Sequence, residues 1–506
     1  MNNEGLGSWP ERRLRMSPDR EAVVFEDSRT TYAELAGRCR RAAHALRVLG
    51  VGRGDRVAYL GENHPAVFET LFGAGQLGAI WVPVNARLAP DEIQFVLDDS
   101  GASVVIHSAS QEPGPDLKVR CPTVRHWIAL TAEPDGWESL LSSEPPEALD
   151  EPVSLDDLCL LMYTSGTTGQ PKGVMLSHAN MTWNAINQAI GLETTSGERT
   201  LALAPLFHIG GLGGSVTPTI MHGGTVVIVP RFDASVVLRL VEEQQVTSFF
   251  APPTVIDMLW RHPSWETTDL SSLRTISVAG APLPEELIGP WLDRGVAVQQ
   301  AYGMTESAPS ATILASADAR RRLGSAGKMS FFTDVQVFNA NDDPVGPGEI
   351  GEVRIKGPNV MAGYWNNPEA TAEALTDGWL HTGDAAMLDE DGYLYIRDRY
   401  KDMFISGGEN VYPAEVERVL RGLPGVADVA VIGVPDALWG EVGWGYVVVE
   451  AGDSPDAEQI RRDARLLLAG FKVPAKVHIV EMLPRTASGK VDKPELRRSA
   501  LGTSAK

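Results

Sequence analysis

The segment Tyr163–Val174 reads YTSGTTGQPKGV. Three glycines (Gly166, Gly169, Gly173) alternate with four hydroxyl side chains (Thr164, Ser165, Thr167, Thr168), and Lys172 follows. Glycines let backbone N–H groups turn toward one point, hydroxyls donate to oxygens placed there, and the lysine adds positive charge. By its chemistry this is a phosphate cradle. No G-x4-G-K-[ST], G-x-S-x-G or H-E-x-x-H pattern occurs in the chain, which argues against a P-loop NTPase, a serine hydrolase of that type and a zincin.

Working outward, the flanks alternate between helical and strand patterns. Leu35, Cys39, Ala42, Ala43 and Leu46 fall at helical spacing behind an N-cap candidate, Thr31. Arg56–Leu60 reads as a strand, followed by a helical stretch through Glu69 and Leu77, the apolar run 79–84 and ASVVI at 102–106. TVVIV (225–229), VTSFF (246–250), RTISV (274–278) and VAVQQ (296–300) continue the series, each separated by a helix-length segment. Strands alternating with helices predict an α/β fold of parallel sheets wrapped by helices. After about Gly324 the pattern changes to short strands (DVQVF at 334–338, EIGEVRIKG at 349–357) around the turn PVGPGE, which predicts a small barrel-like β subdomain. Beyond YLYI (393–396) and the charged RDRYKD (397–402) lies a small α+β unit. It has a helix from Pro413, strands near 428–434 and 443–449, and a helix near 456–469. The boundary is expected at about residue 400, giving a large domain 1–400 and a small domain 401–506.

The 66 acidic residues against 44 basic ones give a net charge of −22, which repels nucleic-acid and anionic membrane surfaces. The absence of an eighteen-residue apolar run, and of an apolar core in the first twenty residues, predicts neither a membrane span nor a secretory signal. Cys39, Cys121 and Cys159 have no metal or disulfide spacing, as suits the cytoplasm. Only the stretch 461–498, with ten basic and four acidic residues, runs against the overall charge. It reads either as a solvated helix face or as a surface for a small polyanion.

After the glycine-rich segment come Phe207-His208, AGAPLP (279–284), AYGMTE (301–306), HTGD (381–384), DRYKDMFISGGENVYP (398–413) and PRTASGK (484–490). In kind, order and spacing these motifs resemble the adenylate-forming superfamily of acyl-CoA synthetases, firefly-type luciferases and peptide-synthetase adenylation domains. The resemblance covers nearly the whole chain. It implies a first half-reaction joining a carboxylate to the α-phosphorus of ATP with loss of pyrophosphate, and a second in which the CoA thiol displaces AMP. A carboxylate has no usable leaving group, and adenylation supplies one by splitting a hard step into two.

The resemblance also implies roles. Thr164, Ser165, Gly166, Thr167, Thr168, Gly169 and Lys172 would hold the β- and γ-phosphates. Glu306, with Thr164, would bind Mg2+. Tyr302 would stack on adenine beside Gly303 and Thr305, and Gly280, Ala281 and Pro282 would meet the adenine edge. Asp384 would accept the ribose hydroxyls, although a turn-capping Asp is the plain alternative, and Arg399 would be a second ribose contact. Lys490 is the expected adenylation lysine, a point charge on a flexible stem that bridges carboxylate and α-phosphate. Lys401 is the expected hinge about which the small domain rotates between half-reactions. Gly407 and Gly408 would line the pantetheine tunnel, with Trp439 either near it or in the core.

His208 is expected beside the acyl carboxylate, in a pocket with Gly210, Gly211, Gly303 and Ala308. Two explanations suit the glycines at 210, 211, 213 and 214: close helix packing, or room for a bulky or long acyl group, which is favoured. With no basic or acidic side chain evident to hold an amino acid, a fatty or aryl acid is expected. The whole-chain flavour resembles both bacterial fatty-acyl-CoA ligases and feruloyl-CoA synthetases. The alternatives are a feruloyl/coumarate-type ligase specifically, or a fatty acyl-AMP ligase that delivers to a carrier protein. A catalytically dead nucleotide-binding protein is disfavoured by the joint presence of Lys172, Glu306, Asp384, Arg399 and Lys490. The resemblance is compatible with a homodimer.

Overall fold

A computed structural model describes residues 2–164, 171–281, 283–399, 402–406, 409–436, 439–450, 455–468, 470–486 and 489–502. The chain divides into two compact units, Met1–Val335 with Ile355–His381, and Gln336–Arg354 with Thr382–Lys506.

The first unit carries two large sheets. One runs in the order Lys328–Met329, Ser310–Ile313, Ala297–Gly303, Thr275–Val278, Ser248–Ala251, Arg199–Ala202, Thr225–Ile228, Glu21–Phe25, Ser28–Thr31. Its six strands from Ala297–Gly303 to Glu21–Phe25 are mutually parallel. The other runs Gly363–Tyr364, Lys172–Ser177, Leu158–Thr164, Ile80–Val84, Arg56–Leu60, Val104–His107, His126–Ala129. Every strand expected from an apolar run before Gly324 is present. The runs Ile80–Val84, Val104–His107, Thr225–Ile228 and Thr275–Val278 are buried on both faces, as strands covered by helices on each side must be, whereas Ser248–Ala251 leaves one face half-buried.

Helix Tyr32–Val48 begins where Thr31 predicts. The Thr31 hydroxyl accepts from the Glu34 amide at 3.2 Å, and the Glu34 carboxylate accepts from the Thr31 amide at 2.7 Å. This capping box satisfies two N–H groups that helix geometry leaves unpaired. Leu35, Cys39, Ala42, Ala43 and Leu46 form its buried stripe. The three cysteines are free and buried.

The second unit is built on two smaller sheets. The short strands expected after Gly324, Asp334–Phe338 and Gly351–Lys356, join Trp379–Leu388 and Leu394–Arg399 in a five-stranded sheet. The α+β part has helix Pro413–Arg421, strands Val426–Asp436 and Gly440–Val449, and helix Ala457–Leu467. Val416 and Leu420 from one helix, and Ile460 and Ala464 from the other, meet Phe404, Val429, Val431 and Val447 in its core. The compact division thus falls upstream of residue 400. Helix Pro413–Arg421 packs on strand Leu394–Arg399, which draws the antiparallel strands into the carboxyl-terminal unit.

His178 opens helix His178–Gly191 and is fully buried. Its Nδ1 accepts from the Leu6 amide at 3.1 Å, tying the amino-terminal segment down. Burial lowers its pKa to about 4. The unfolded chain therefore takes up this proton near pH 6.5 while the folded chain does not, and stability falls as pH drops from 6.5 toward 4. The expected loss from this residue at pH 5 is about 2 kcal/mol. His178→Asn keeps an acceptor without the titration. Its thermal midpoint should gain on that of the wild type between pH 7 and pH 5, and parallel pH curves would refute the assignment.

Candidate functional site

The carboxyl ends of adjacent parallel strands assemble one group of the expected residues. Arg199–Ala202 leads to Phe207 and His208, Ser248–Ala251 contributes Phe250, and Thr275–Val278 leads to Gly280 and Ala281. Ala297–Gly303 ends in Tyr302 and Gly303. Val278 lies opposite Gln300, so Gly280-Ala281 and Tyr302-Gly303 leave the sheet side by side. In open α/β sheets this edge is where ligands bind. Asn63, from beyond Arg56–Leu60, fixes the segment that carries His208. Its amide donates to the carbonyls of Ala202 and Ala204, both at 3.0 Å, and its oxygen accepts from the Leu206 amide at 2.9 Å.

Glu306 lies in the turn Thr305–Ser307 and is buried. A Cβ on Gly303 would come within 2.0 Å of the Pro309 carbonyl oxygen, so glycine is required for the chain to double back here. The Ser307 hydroxyl donates to the Pro309 carbonyl at 2.9 Å, and buried Asn359 donates to the Ser307 carbonyl at 2.8 Å. The Glu306 carbonyl accepts from the Met361 amide at 2.8 Å. The Tyr364 hydroxyl donates to Glu306 Oε1 at 2.8 Å. Burial, with Glu306 beside it, raises the Tyr364 pKa, so the phenol keeps the proton it donates.

The glycine-rich segment connects Leu158–Thr164 to Lys172–Ser177, with Thr164 paired to Lys172 and Tyr163 to Gly173. The base of this hairpin is clamped. Tyr163 donates to Asp99 Oδ2 at 2.6 Å, Trp365 Nε1 donates to the Asp99 carbonyl at 3.0 Å, and Gly173 fits between the Tyr163 and Trp365 side chains. Lys172 Nζ stands 5.0 Å from the centre of the Tyr364 ring. Lys172 and Glu306 are thus brought to one side chain, Tyr364. Ser165, Gly166, Thr167, Thr168, Gly169, Pro282, Lys401, Gly407 and Gly408 lie outside the described residues.

The second unit holds the other expected residues. Asp384 is a buried mid-strand residue facing Arg399 across the antiparallel pair, which excludes the turn-capping alternative. Trp439 is 54% exposed, so it is not a core residue. Lys490 is exposed on a loop where Thr486 donates to the Lys490 carbonyl at 2.8 Å. In the basic stretch, Arg461, Lys472, Arg485, Lys493, Arg497 and Arg498 are all paired with carboxylates of the same unit. Local ion pairing accounts for much of its charge.

The glycines of the expected acyl pocket are closely approached by other groups. A Cβ on Gly211 would meet the Pro205 carbonyl oxygen at 2.4 Å, and one on Gly213 would meet Pro309 at 3.0 Å. On Gly210 it would strike the Phe250 ring at 2.7 Å, and on Gly214 it would touch that ring at 3.4 Å. Close packing therefore accounts for Gly210, Gly211 and Gly213, whereas a Cβ on Gly214 would sit at ordinary contact distance. Exposed His208 lies edge-on to Phe207, with ring centres 4.8 Å apart, and Ala308 is buried. Tyr364, Asn359 and Asn63 were not identified from sequence; each acts through a partner far along the chain. Gly303→Ala should destabilise the first unit by about 3 kcal/mol and, by displacing Glu306, lower acid-dependent pyrophosphate release at least tenfold. An unaffected thermal midpoint would contradict the close approach.

The chain matches two family models, AMP-binding enzyme over residues 10–365 and AMP-binding enzyme C-terminal domain over residues 415–490. It is 51% identical to a feruloyl-CoA synthase of Amycolatopsis sp over 98% of this chain and 99% of that protein. It is 40% identical to a long-chain-fatty-acid–CoA ligase of Mycobacterium tuberculosis over 99% of both chains. Among solved structures, the o-succinylbenzoate-CoA synthetase of Bacillus subtilis in complex with its acyl-adenylate superposes with a TM-score of 0.86 at 34% identity, covering 99% of this chain and 98% of that one. The parallel-strand edge, the hairpin that ends at Lys172 and the turn that holds Glu306 are therefore those of a member of the AMP-binding enzyme family, an AMP-forming acyl-CoA synthetase.

Proposed function

We propose that this acid–CoA ligase acts on a short planar aryl acid of the hydroxycinnamate type. The observation that carries the reading is the Phe250 ring, which fills the room left by Gly210 and Gly214 and is itself only half-buried. That arrangement offers an aromatic face to a planar acid and takes away the space a long chain would follow along the helix. The feruloyl-CoA synthase at 51% identity favours the same class over the fatty-acid ligase at 40%. Three free, buried cysteines suit the cytoplasm as its compartment.

In the proposed mechanism, the hairpin from Thr164 to Lys172 binds the β- and γ-phosphates, Tyr302 and Gly280-Ala281 frame the adenine, and Asp384 with Arg399 takes the ribose. Lys490 offsets the charge that develops as the carboxylate attacks the α-phosphorus. His208 then borders the path of the CoA thiol after the domain 401–506 turns about Lys401. Gly407, Gly408 and Trp439 would flank the pantetheine. Among the described residues no three His, Cys, Asp or Glu side chains gather as a metal cluster. The donors at Glu306 and Thr164 are a carboxylate and a hydroxyl, hard oxygen ligands suited to a Mg2+ shared with a triphosphate. Bound there, Mg2+ would neutralise phosphate charge.

The test is pyrophosphate release with ferulate, coumarate, octanoate and palmitate, each with CoA, with an acyl-carrier protein, or with neither. The expected result is a kcat/KM for the cinnamates at least tenfold above either fatty acid, with thioester formed on CoA. A fatty-acid optimum would overturn the aryl reading, and thioester on the carrier protein alone would overturn the CoA one. In the same assay, Lys490→Ala should lose adenylation by about three orders of magnitude, yet still convert preformed acyl-adenylate to acyl-CoA. Equal loss in both halves would refute the role of Lys490.

A further inference from the structure

Tyr364 was not expected in the site, yet it touches two of its residues. It enters from a two-residue strand, Gly363–Tyr364, paired antiparallel to Lys172–Ser177 with Tyr364 opposite Val174 and Gly363 opposite Met175. The Tyr364 amide donates to Thr371 Oγ1 at 2.9 Å, and the Trp365 amide donates to the Gly173 carbonyl at 2.8 Å. The side chain is therefore held in register with the hairpin that ends at Lys172. From that position its ring lies 5.0 Å beneath Lys172 Nζ, and its hydroxyl donates to Glu306 Oε1 at 2.8 Å.

We propose that Tyr364 is a positioning residue for the first half-reaction, with a separate task for each end of its side chain. The hydroxyl fixes the rotation of the Glu306 carboxylate, the group that would hold the divalent cation. The ring holds the Lys172 ammonium over its face, by attraction between cation and ring quadrupole, in the orientation from which it meets the triphosphate. This inference rests on the reading of Glu306 as the metal carboxylate and of Lys172 as a phosphate ligand.

The chemistry separates the two tasks. Phenylalanine keeps the ring and removes the hydroxyl, whereas leucine removes both. Tyr364→Phe should leave the affinity for ATP in EDTA within twofold of wild type, measured by isothermal titration calorimetry. The same variant should raise, at least fivefold, the Mg2+ concentration that half-saturates both tight ATP binding and pyrophosphate release. Tyr364→Leu should, in addition, weaken metal-free ATP binding threefold or more. In a Glu306→Asp background, where the shortened carboxylate is withdrawn from the phenol, the Phe substitution should shift the Mg2+ dependence by less than twofold. Thermal midpoints read folding separately, since a merely structural role would lower them without moving the Mg2+ requirement.

A wild-type Mg2+ dependence in Tyr364→Phe, with Glu306→Gln impaired, would overturn the role of Tyr364 alone. A wild-type Mg2+ dependence in Glu306→Gln would overturn the underlying assignment of Glu306.

Discussion

A carboxylate held out of water is stable only if its neighbours supply what water would. Glu306 is such a group, and much of the first unit's local structure meets that need. Its turn forms only because Gly303 permits a close pass by the Pro309 carbonyl, and because Asn359 reaches back to the Ser307 carbonyl. The Tyr364 hydroxyl supplies a donor, and the same tyrosine stands under the Lys172 ammonium. A negative group and a positive one thereby share one neutral side chain. In the proposed mechanism that sharing matters. Contacts to a neutral ring and a neutral hydroxyl ask for less rearrangement, when either group meets a metal or a phosphate, than breaking an ion pair would.

The parallel sheets were legible because several of their strands are buried on both faces and announce themselves as short apolar runs such as Thr225–Ile228 and Thr275–Val278. Once those are parallel, the positions of Phe207-His208, Gly280-Ala281 and Tyr302-Gly303 follow, since each pair lies just past the end of a strand. The helix behind Thr31 was legible for an equally local reason: its cap and its stripe are written within seventeen residues. Motif order then tied these local features to one chemistry.

What escaped the sequence reading is non-local. Tyr364 lies 58 positions from Glu306, and Asn63 lies 143 positions from the Leu206 amide it anchors. Nothing in the immediate neighbourhood of either residue signals its partner. The glycines near 210 were ambiguous because an absent side chain can mean space for a ligand or space already filled, and only the Phe250 ring and the Pro205 carbonyl decide between the two. The division into compact units is not written in composition for a related reason. A shift in composition marks where the sequence changes character, but packing, here of helix Pro413–Arg421 on strand Leu394–Arg399, decides where a compact unit begins.

The carboxyl-terminal unit raises a mechanical question of its own. A lysine that acts at a phosphorus atom must be placed to within a fraction of an ångström at the moment of reaction, yet Lys490 is exposed on a loop. The base of that loop is firm. Arg485 pairs with Asp428 at 2.5 Å, at the start of the unit's longest strand pair, and with its other arm donates to the Gly489 carbonyl at 2.8 Å. The Thr486 amide bonds to the Lys490 carbonyl, and Asp492 bonds back to Pro484. The described backbone on either side of Lys490 is thus tied to the sheet. Under the proposed mechanism, rotation of the whole domain would carry the ammonium in or out, and the cost of ordering those tied positions would be met when the unit folds and not at each turnover.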